Sequence, residues 1–421
     1  LRADGSSRFG ETVRVGIFPG ISVGWLLTEE SFMQAFPSVS LLKLKASYGK
    51  SGNANISETA RFAQYGVSPN GYNGQTIRYP LQIGNPDLKW ETSLTSNFGV
   101  DLGLFRDRIT ITAEYYNRNT TGVLMDLALP TSTGYSGYYG NVGEINNRGF
   151  EFSVQSRNID RDFKWTTQFN IARNRNEILS IGPFSEDAVS GGTNDTRVVV
   201  GQPVGTNFLV RFSRIDPVTG RPLYLDINGN ETYTWDPANR VAVGSVLPDA
   251  VGGITNSFSY KNWDLSVLFN FVLGGDIYES SAKRQLGVVT NWNMRTDIFD
   301  RWQKPGDVAA FPRLTLETGT YGSGTPWINT TMWLHDGTFA RLRNVTLAYR
   351  VPRKTLDKLK IQSARVAFIG TNLLTFTKYP GLDPEIARDF ENPTDRNMSP
   401  NITYLTPPQE KTFTLQLSVT F

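Results

Sequence analysis

Between Lys411 and Phe421 apolar and polar side chains trade places at every step. Phe413, Leu415, Leu417, Val419 and Phe421 alternate with Thr412, Thr414, Gln416, Ser418 and Thr420. Successive side chains of an extended chain point to opposite faces, so this pattern specifies a strand with one dry and one wet face. The same period recurs upstream. Ile21, Val23 and Trp25 alternate with Ser22 and Gly24, and Leu42, Leu44, Ala46 and Tyr48 with Lys43, Lys45 and Ser47. Residues 94–104 and 109–116 continue it, followed by 150–156, 163–171, 254–260, 263–273, 345–349 and 364–370. With the terminal segment, the pattern predicts about eleven strands.

The connections fall into two alternating classes. Residues 105–108, 158–162, 260–262 and 351–360 are short and charged, and 27–40 is a longer turn with a helical stretch at TEESFMQAF. Between them lie long segments, about 52–88, 118–145, 174–250, 275–338 and 374–409, rich in Gly, Asn, Pro, Thr and Trp. Transmembrane β-barrels sort their loops this way, with short turns inside and long loops outside. The length fits too: eleven residues at ~3.3 Å, tilted near 45°, project to ~25 Å, the height of an outer-membrane apolar band. Lys43, Lys45, Asp101 and Glu114 all fall on the polar parity. A soluble half-buried sheet is the alternative, but its strands typically run about five or six residues. The expected fold class is therefore all-β, a transmembrane antiparallel up-and-down barrel.

Composition narrows the function. No cysteine is present, and the single histidine, His335, disfavours a His-based metal or proton-relay enzyme. The formal net charge of +3 gives no reason to invoke nucleic acid. No apolar run is long enough for a transmembrane helix. With the short turns periplasmic, the first visible strand descends from outside. Barrels of this kind begin in the periplasm and have even strand numbers, so at least one upstream strand is expected beyond this chain, making it a fragment.

Several stretches resemble the C-terminal half of the SusC/RagA-like TonB-dependent outer-membrane transporters. They are DGSSRFGETVRVGIFPGISVGW (4–25), LKLKASYGKSGNANI (42–56), NPDLKWETSLTSNFGVDLGLF (85–105), EYYNRNTTGVLM (114–125), GNVGEINNRGFEFSV (140–154), DGTFARLRNVTLAYRVP (336–352) and TNLLTFTKYPGLDPE (371–385). The resemblance implies a 22-stranded barrel of which residues 1–421 are the C-terminal part, with the plug, the TonB-contacting segment and the early strands absent. It also implies active import of an oligosaccharide or oligopeptide across the Gram-negative outer membrane, not enzyme activity. The implied partners are a SusD-like surface lipoprotein, the TonB complex, the barrel-assembly machinery and outer-membrane lipid. Phe413, Leu415, Leu417, Val419 and Phe421 resemble the barrel-assembly signal. A passive porin-like channel and a soluble carbohydrate-binding or hydrolytic β-protein are the competing readings.

Individual residues carry weaker signals. Trp292, Tyr321, Trp327 and Trp333 cluster in one long loop, with Tyr72 and Tyr79 in another; their faces suit sugar stacking, but equally loop packing or interface anchoring. Asp226, Asn228 and Asn230 occupy the first, third and fifth places of a calcium-loop pattern, but Glu231 stands where Gly is needed and Pro237 where a bidentate Glu is wanted. An Asx-rich turn is the expectation there, and no cofactor is required. GKS at 49–51 lacks the upstream Gly of a phosphate loop. Asp383, Glu385, Asp389 and Glu391 read as a solvated acidic loop rather than a hydrolytic carboxylate pair, and His335 as a loop histidine.

Overall fold

The computed structural model describes all residues except 70, 136, 190–195, 287–288, 290–291, 317–328, 358–359, 386–401 and 404–405. One antiparallel sheet of eleven strands organises them. The strands are β1 (Gly20–Leu26), β2 (Val39–Asn53), β3 (Glu91–Leu104), β4 (Ile109–Thr121), β5 (Glu144–Asp160) and β6 (Phe163–Ser180). There follow β7 (Ala250–Tyr260), β8 (Trp263–Leu273), β9 (Phe339–Arg350), β10 (Ser363–Thr377) and β11 (Thr412–Thr420). They lie in chain order, each paired with its sequence neighbours, and β1 and β11 form the two edges. Each segment expected from the two-residue period is one of these strands. The sheet does not close on itself within this chain.

Register keeps the apolar face continuous. Phe150 lies opposite Tyr115, Val154 opposite Phe169, Ile254 opposite Phe269, and Phe368 opposite both Leu347 and Leu415. Rings meet across strands, Phe152 edge-on to Phe169 at 6.5 Å, with Phe169 stacked on Phe271 at 6.3 Å and Phe368 on Phe413 at 5.9 Å. Among the described residues no second sheet covers this face: Phe98 is 58% exposed and Phe368 49%. A water-soluble sandwich would bury such residues between two layers; here hydrocarbon is the solvent that matches them. Near the short turns the face ends in an aromatic girdle, with Trp165 on Phe258 at 5.8 Å and Trp263 on Tyr349 at 4.8 Å.

The expected helical stretch is present as two 3₁₀ turns, Leu27–Glu29 and Ser31–Ala35. In the turn after β3, Phe105, Arg106 and Asp107 all take left-handed backbone, with φ of 55°, 58° and 59°. The Phe105 amide donates to the Ser38 carbonyl at 2.7 Å, and Ser40 Oγ donates to Asp107 Oδ1 at 2.6 Å. These bonds offset the cost of that conformation.

Several strands outrun their expected bounds, and the reason is physical. β5 and β6 extend to 17 and 18 residues, but the added stretches 144–149 and 172–180 rise above the apolar band, where neither face needs to be dry. In β9 the register shifts between Leu342 and Asn344, with a matching irregularity in β10 around Asn372. A bulge reverses which parity faces outward, so the alternation is visible only on its near side.

The long loops are not structureless. Gln64–Ser68, Ile77–Ile83, Gly137–Asn141 and Leu124–Ala128 form one four-stranded sheet built from two different loops. Thr206–Ile215 centres a second sheet with Thr196–Arg197, Pro222–Leu225, Glu231–Thr232 and Arg240–Ser245. Asp276–Glu279 pairs with Leu334–Asp336 and, in parallel, with Ile402–Thr403. Small apolar cores hold this layer together. Leu209, Tyr278, Leu286, Ile298, Trp333 and Ile402 join the last three long loops. Phe9, Ala60 and Leu88, with Leu124 and Tyr139 packed against them, join the first two to the N-terminal segment.

Candidate functional site

The polar face of the sheet carries a cavity of about 710 Å³. Thr112, Glu114, Ser153, Gln168, Asn170 and Arg343 are among its lining residues. At its edge, Lys45 Nζ on β2 donates to Asp101 Oδ1 on β3 at 2.9 Å and to Glu114 Oε1 on β4 at 2.7 Å. Thr112 Oγ1 adds a bond to Asp101 at 3.1 Å. Gly99 makes room for this cluster, because a Cβ there would lie 2.9 Å from Lys45 Cε and 3.1 Å from Glu114 Cγ. The polar parity assigned to Lys45, Asp101 and Glu114 is thus the parity that brings them together. Such a wall can solvate and hydrogen-bond a polar solute.

A second cluster clamps the last long loop onto β9. Arg341, only 1% exposed, pairs with Asp383 and lies 3.3 Å from Glu385, while Arg343 pairs with the other Glu385 oxygen and donates to Asn372 Oδ1 at 2.8 Å. The Gln409 amide donates to Asp383 Oδ2 at 2.9 Å, and Asn372 Nδ2 to the Glu410 carbonyl at 3.0 Å. The two stems of the loop therefore meet at one ionic hub. This corrects the reading of a solvated acidic loop: Asp383 is 7% exposed. An isolated carboxylate at that depth would be costly, and the paired guanidiniums compensate it. Asp389 and Glu391 lie outside the described residues. Arg341 was missed because its partners lie more than forty positions away; two arginines in FARLRN and two acids in GLDPE were the available signal.

Among the loop aromatics, Trp333 is buried in the core of the last three loops, its ring stacked on Phe311 at 6.5 Å. It offers no open face in this arrangement. Trp292 is half-buried, Tyr79 is exposed, and Tyr321 and Trp327 lie outside the described residues. Asp226 forms a tight Asx turn: its carboxylate accepts from the Asn228 and Asn230 amides at 2.9 and 2.8 Å and from Asn230 Nδ2 at 3.1 Å. These bonds hold its pKa below the usual carboxylate range. Asn228 and Asn230 therefore serve the turn. Among the described residues no three of His, Cys, Asp or Glu gather as metal ligands. His335 Nε2 lies 3.4 Å from the buried Glu279, which also pairs with Arg295, and its ring meets Tyr379 edge-on at 5.9 Å.

Burial raises the pKa of two further loop groups. Burial pushes the Tyr379 hydroxyl up to about 12, reinforced by the Glu279 charge. Asp276 is raised to about 6, mainly by burial, against the opposing hydrogen bond from Asn207 and with Asp336 and Asp249 nearby. Asp336 stands directly opposite it in the ladder.

A family model for the TonB dependent receptor-like β-barrel matches residues 1–373. The chain belongs to this family. It is of the SusC/RagA-like kind: it is 29% identical to TonB-dependent receptor SusC of Bacteroides thetaiotaomicron over 95% of this chain and 41% of that protein. TonB-dependent receptor P26 of Formosa agariphila is 31% identical over 100% of this chain and 44% of its own length. The solved structure of the RagAB peptide transporter superposes with a TM-score of 0.84 at 26% identity, covering 99% of this chain and 45% of that one. The chain thus spans less than half the length of the relatives it matches.

Proposed function

We propose that this chain is the C-terminal part of the barrel of an outer-membrane importer that takes up a large nutrient, an oligosaccharide or oligopeptide, with energy relayed through TonB. The observation that carries the reading is the division of one sheet into a continuous apolar outer face and a polar inner face bearing a 710 Å³ cavity. Membership of the family supplies the TonB link. The early strands, the plug and the TonB-contacting segment belong to the part of the protein outside this chain.

A SusD-like surface lipoprotein completes the proposal. Its support is the joint sheet of the first two long loops, which leaves Tyr65, Val67 and Tyr79 exposed. Apolar side chains raised on a built platform suit a protein partner better than a small solute. The terminal residues Phe413, Leu415, Leu417, Val419 and Phe421 serve assembly as well as lipid contact in this reading. Catalysis forms no part of it.

The test is uptake by cells expressing the full-length protein, with labelled oligosaccharide and oligopeptide pools as competing substrates. Accumulation of one pool that disappears on deleting tonB supports active import and names the substrate class. Accumulation that persists without TonB identifies a passive channel instead.

A further inference from the structure

At the outer end of the apolar face, the sheet places arginines where hydrocarbon would otherwise end. Arg148 on β5 lies directly opposite Arg175 on β6, and Arg173 lies opposite Phe150. All three share the outward parity of Phe150, Phe152 and Val154, and all three are exposed. β5 and β6 sit in the middle of the eleven-strand order, so this exposure does not come from a sheet edge. Like charges directly opposite each other destabilise a strand pair. Only Arg148 has a local acid, Glu177 Oε2 at 3.5 Å. Arg173 and Arg175 form no side-chain ion pair or hydrogen bond among the described residues. Glu144, the other outward acid nearby, is engaged by Asn119. Against the three guanidiniums stand the carboxylates of Glu177 and Glu144, so the patch keeps a net single positive charge, with Arg173 and Arg175 lacking an acid of their own.

Its depth indicates the occupant. Phe163 marks the girdle at the short-turn end, and Arg175 lies twelve residues along the same strand. At ~3.3 Å per residue and a tilt near 45°, that is a rise of ~28 Å, just beyond an apolar band of ~25 Å. Phe150 stands level with Arg173, and Phe152 and Phe169 lie below the arginines, rings suited to acyl chains. Planar guanidiniums pair well with phosphate oxygens.

We infer that Arg148, Arg173 and Arg175 bind the phosphorylated headgroup of an outer-leaflet saccharolipid whose acyl chains lie along the Phe150–Phe152–Phe169 ridge. The inference rests on the outer-membrane placement proposed above. The bound phosphate relieves the repulsion between Arg148 and Arg175 and fixes the barrel's height at this wall.

The test is native mass spectrometry of the full-length protein, purified from outer membranes and titrated with bisphosphorylated lipid A, its dephosphorylated form, or inorganic phosphate. The expected result is retention of the phosphorylated lipid, weakened about tenfold in the Arg148→Gln/Arg175→Gln variant. The dephosphorylated lipid should bind weakly and equally to both proteins, and millimolar phosphate should not compete. Lys43→Gln, which removes a cation from the inner face, should bind as the wild type does. Heat-modifiable gel mobility checks that each variant is folded. Equal retention by the double variant overturns the proposal, as does equal binding of the dephosphorylated lipid. Displacement by free phosphate would reassign the patch to a soluble anion, and altered oligomeric state in the double variant would reassign it to an interface between copies. Recovery of the protein outside the outer-membrane fraction would instead count against the importer reading itself.

Discussion

The wall and the loop layer of this molecule solve the same problem in opposite ways. In the wall each strand pairs with its neighbours in sequence, and the apolar side chains are turned out towards a solvent that accepts them. No interior core is needed, because lipid supplies it. The loop layer sits in water and must make its own cores, which it does by pairing segments far apart in the chain, as Tyr278 with Ile402. Stability in the wall is thus spread along a repeating ladder. In the loops it is concentrated at a few buried hubs, so single substitutions should act very differently in the two regions.

The strongest contrast is expected at the hub. Arg341→Leu leaves Asp383 buried without its guanidinium, a loss of about 3–5 kcal/mol by comparison with other broken buried pairs. The stems of the last loop should become open to limited proteolysis around 379–385 while the barrel's heat-modifiable mobility is kept. Loss of the barrel along with the loop would show that the two regions are not separable.

Adjacent positions on β5 provide the matching experiment in the wall. Val154→Lys puts a charge on the outward face near mid-depth and should cost about 2–4 kcal/mol, read as a lower urea midpoint in lipid vesicles. Ser153→Lys, one residue away on the inner face, should be close to neutral. Equal effects would remove the case for a lipid-facing side.

A pH titration sharpens the loop side. Asp276 has a folded pKa of about 6, above the usual ~3.9 of the unfolded chain. The folded loop layer therefore binds the proton more tightly. Its contribution is full below pH ~4 and is lost as pH rises towards 6. Discounted for partial exposure, the change is about 1–2 kcal/mol, and hydrogen exchange of Asp276–Glu279 should slow as the pH is lowered through that window, after correction for intrinsic rates. Asp276→Asn should flatten the profile.

The smallest effect is expected at the Asx turn. Asp226→Ala should loosen only the turn itself, seen as faster exchange in the Pro222–Leu225 hairpin. Millimolar calcium should leave the melting temperature of the wild type unchanged, since the carboxylate is already engaged by its own turn.

The same contrast explains what could be read from the chain. All eleven wall strands were legible because a period of two leaves an unambiguous trace wherever one face is dry. The trace faded where that condition lapses, above the band in 144–149 and past the bulge between Leu342 and Asn344. The inner-face cluster of Lys45, Asp101 and Glu114 was half legible: parity put the three on one side, but only the register brought them within hydrogen-bond reach. The ionic hub at Arg341 and the loop sheets were not legible, since strands such as Thr206–Ile215 gain their partners through folding at long range and carry no period of their own. Trp333 shows the limit of composition, for an aromatic in a long loop can be the loop's own core.

The shared sheet of the first two long loops has a practical corollary for engineering. Asn141 reaches across to the Lys89 backbone, accepting from its amide at 2.8 Å and donating to its carbonyl at 2.7 Å, and Gly137–Tyr138 runs beside Gln82–Ile83. Transplanting either segment alone from a relative would leave the other with a raw ladder edge. Recognition traits housed there should therefore move between homologues as a matched pair or not at all.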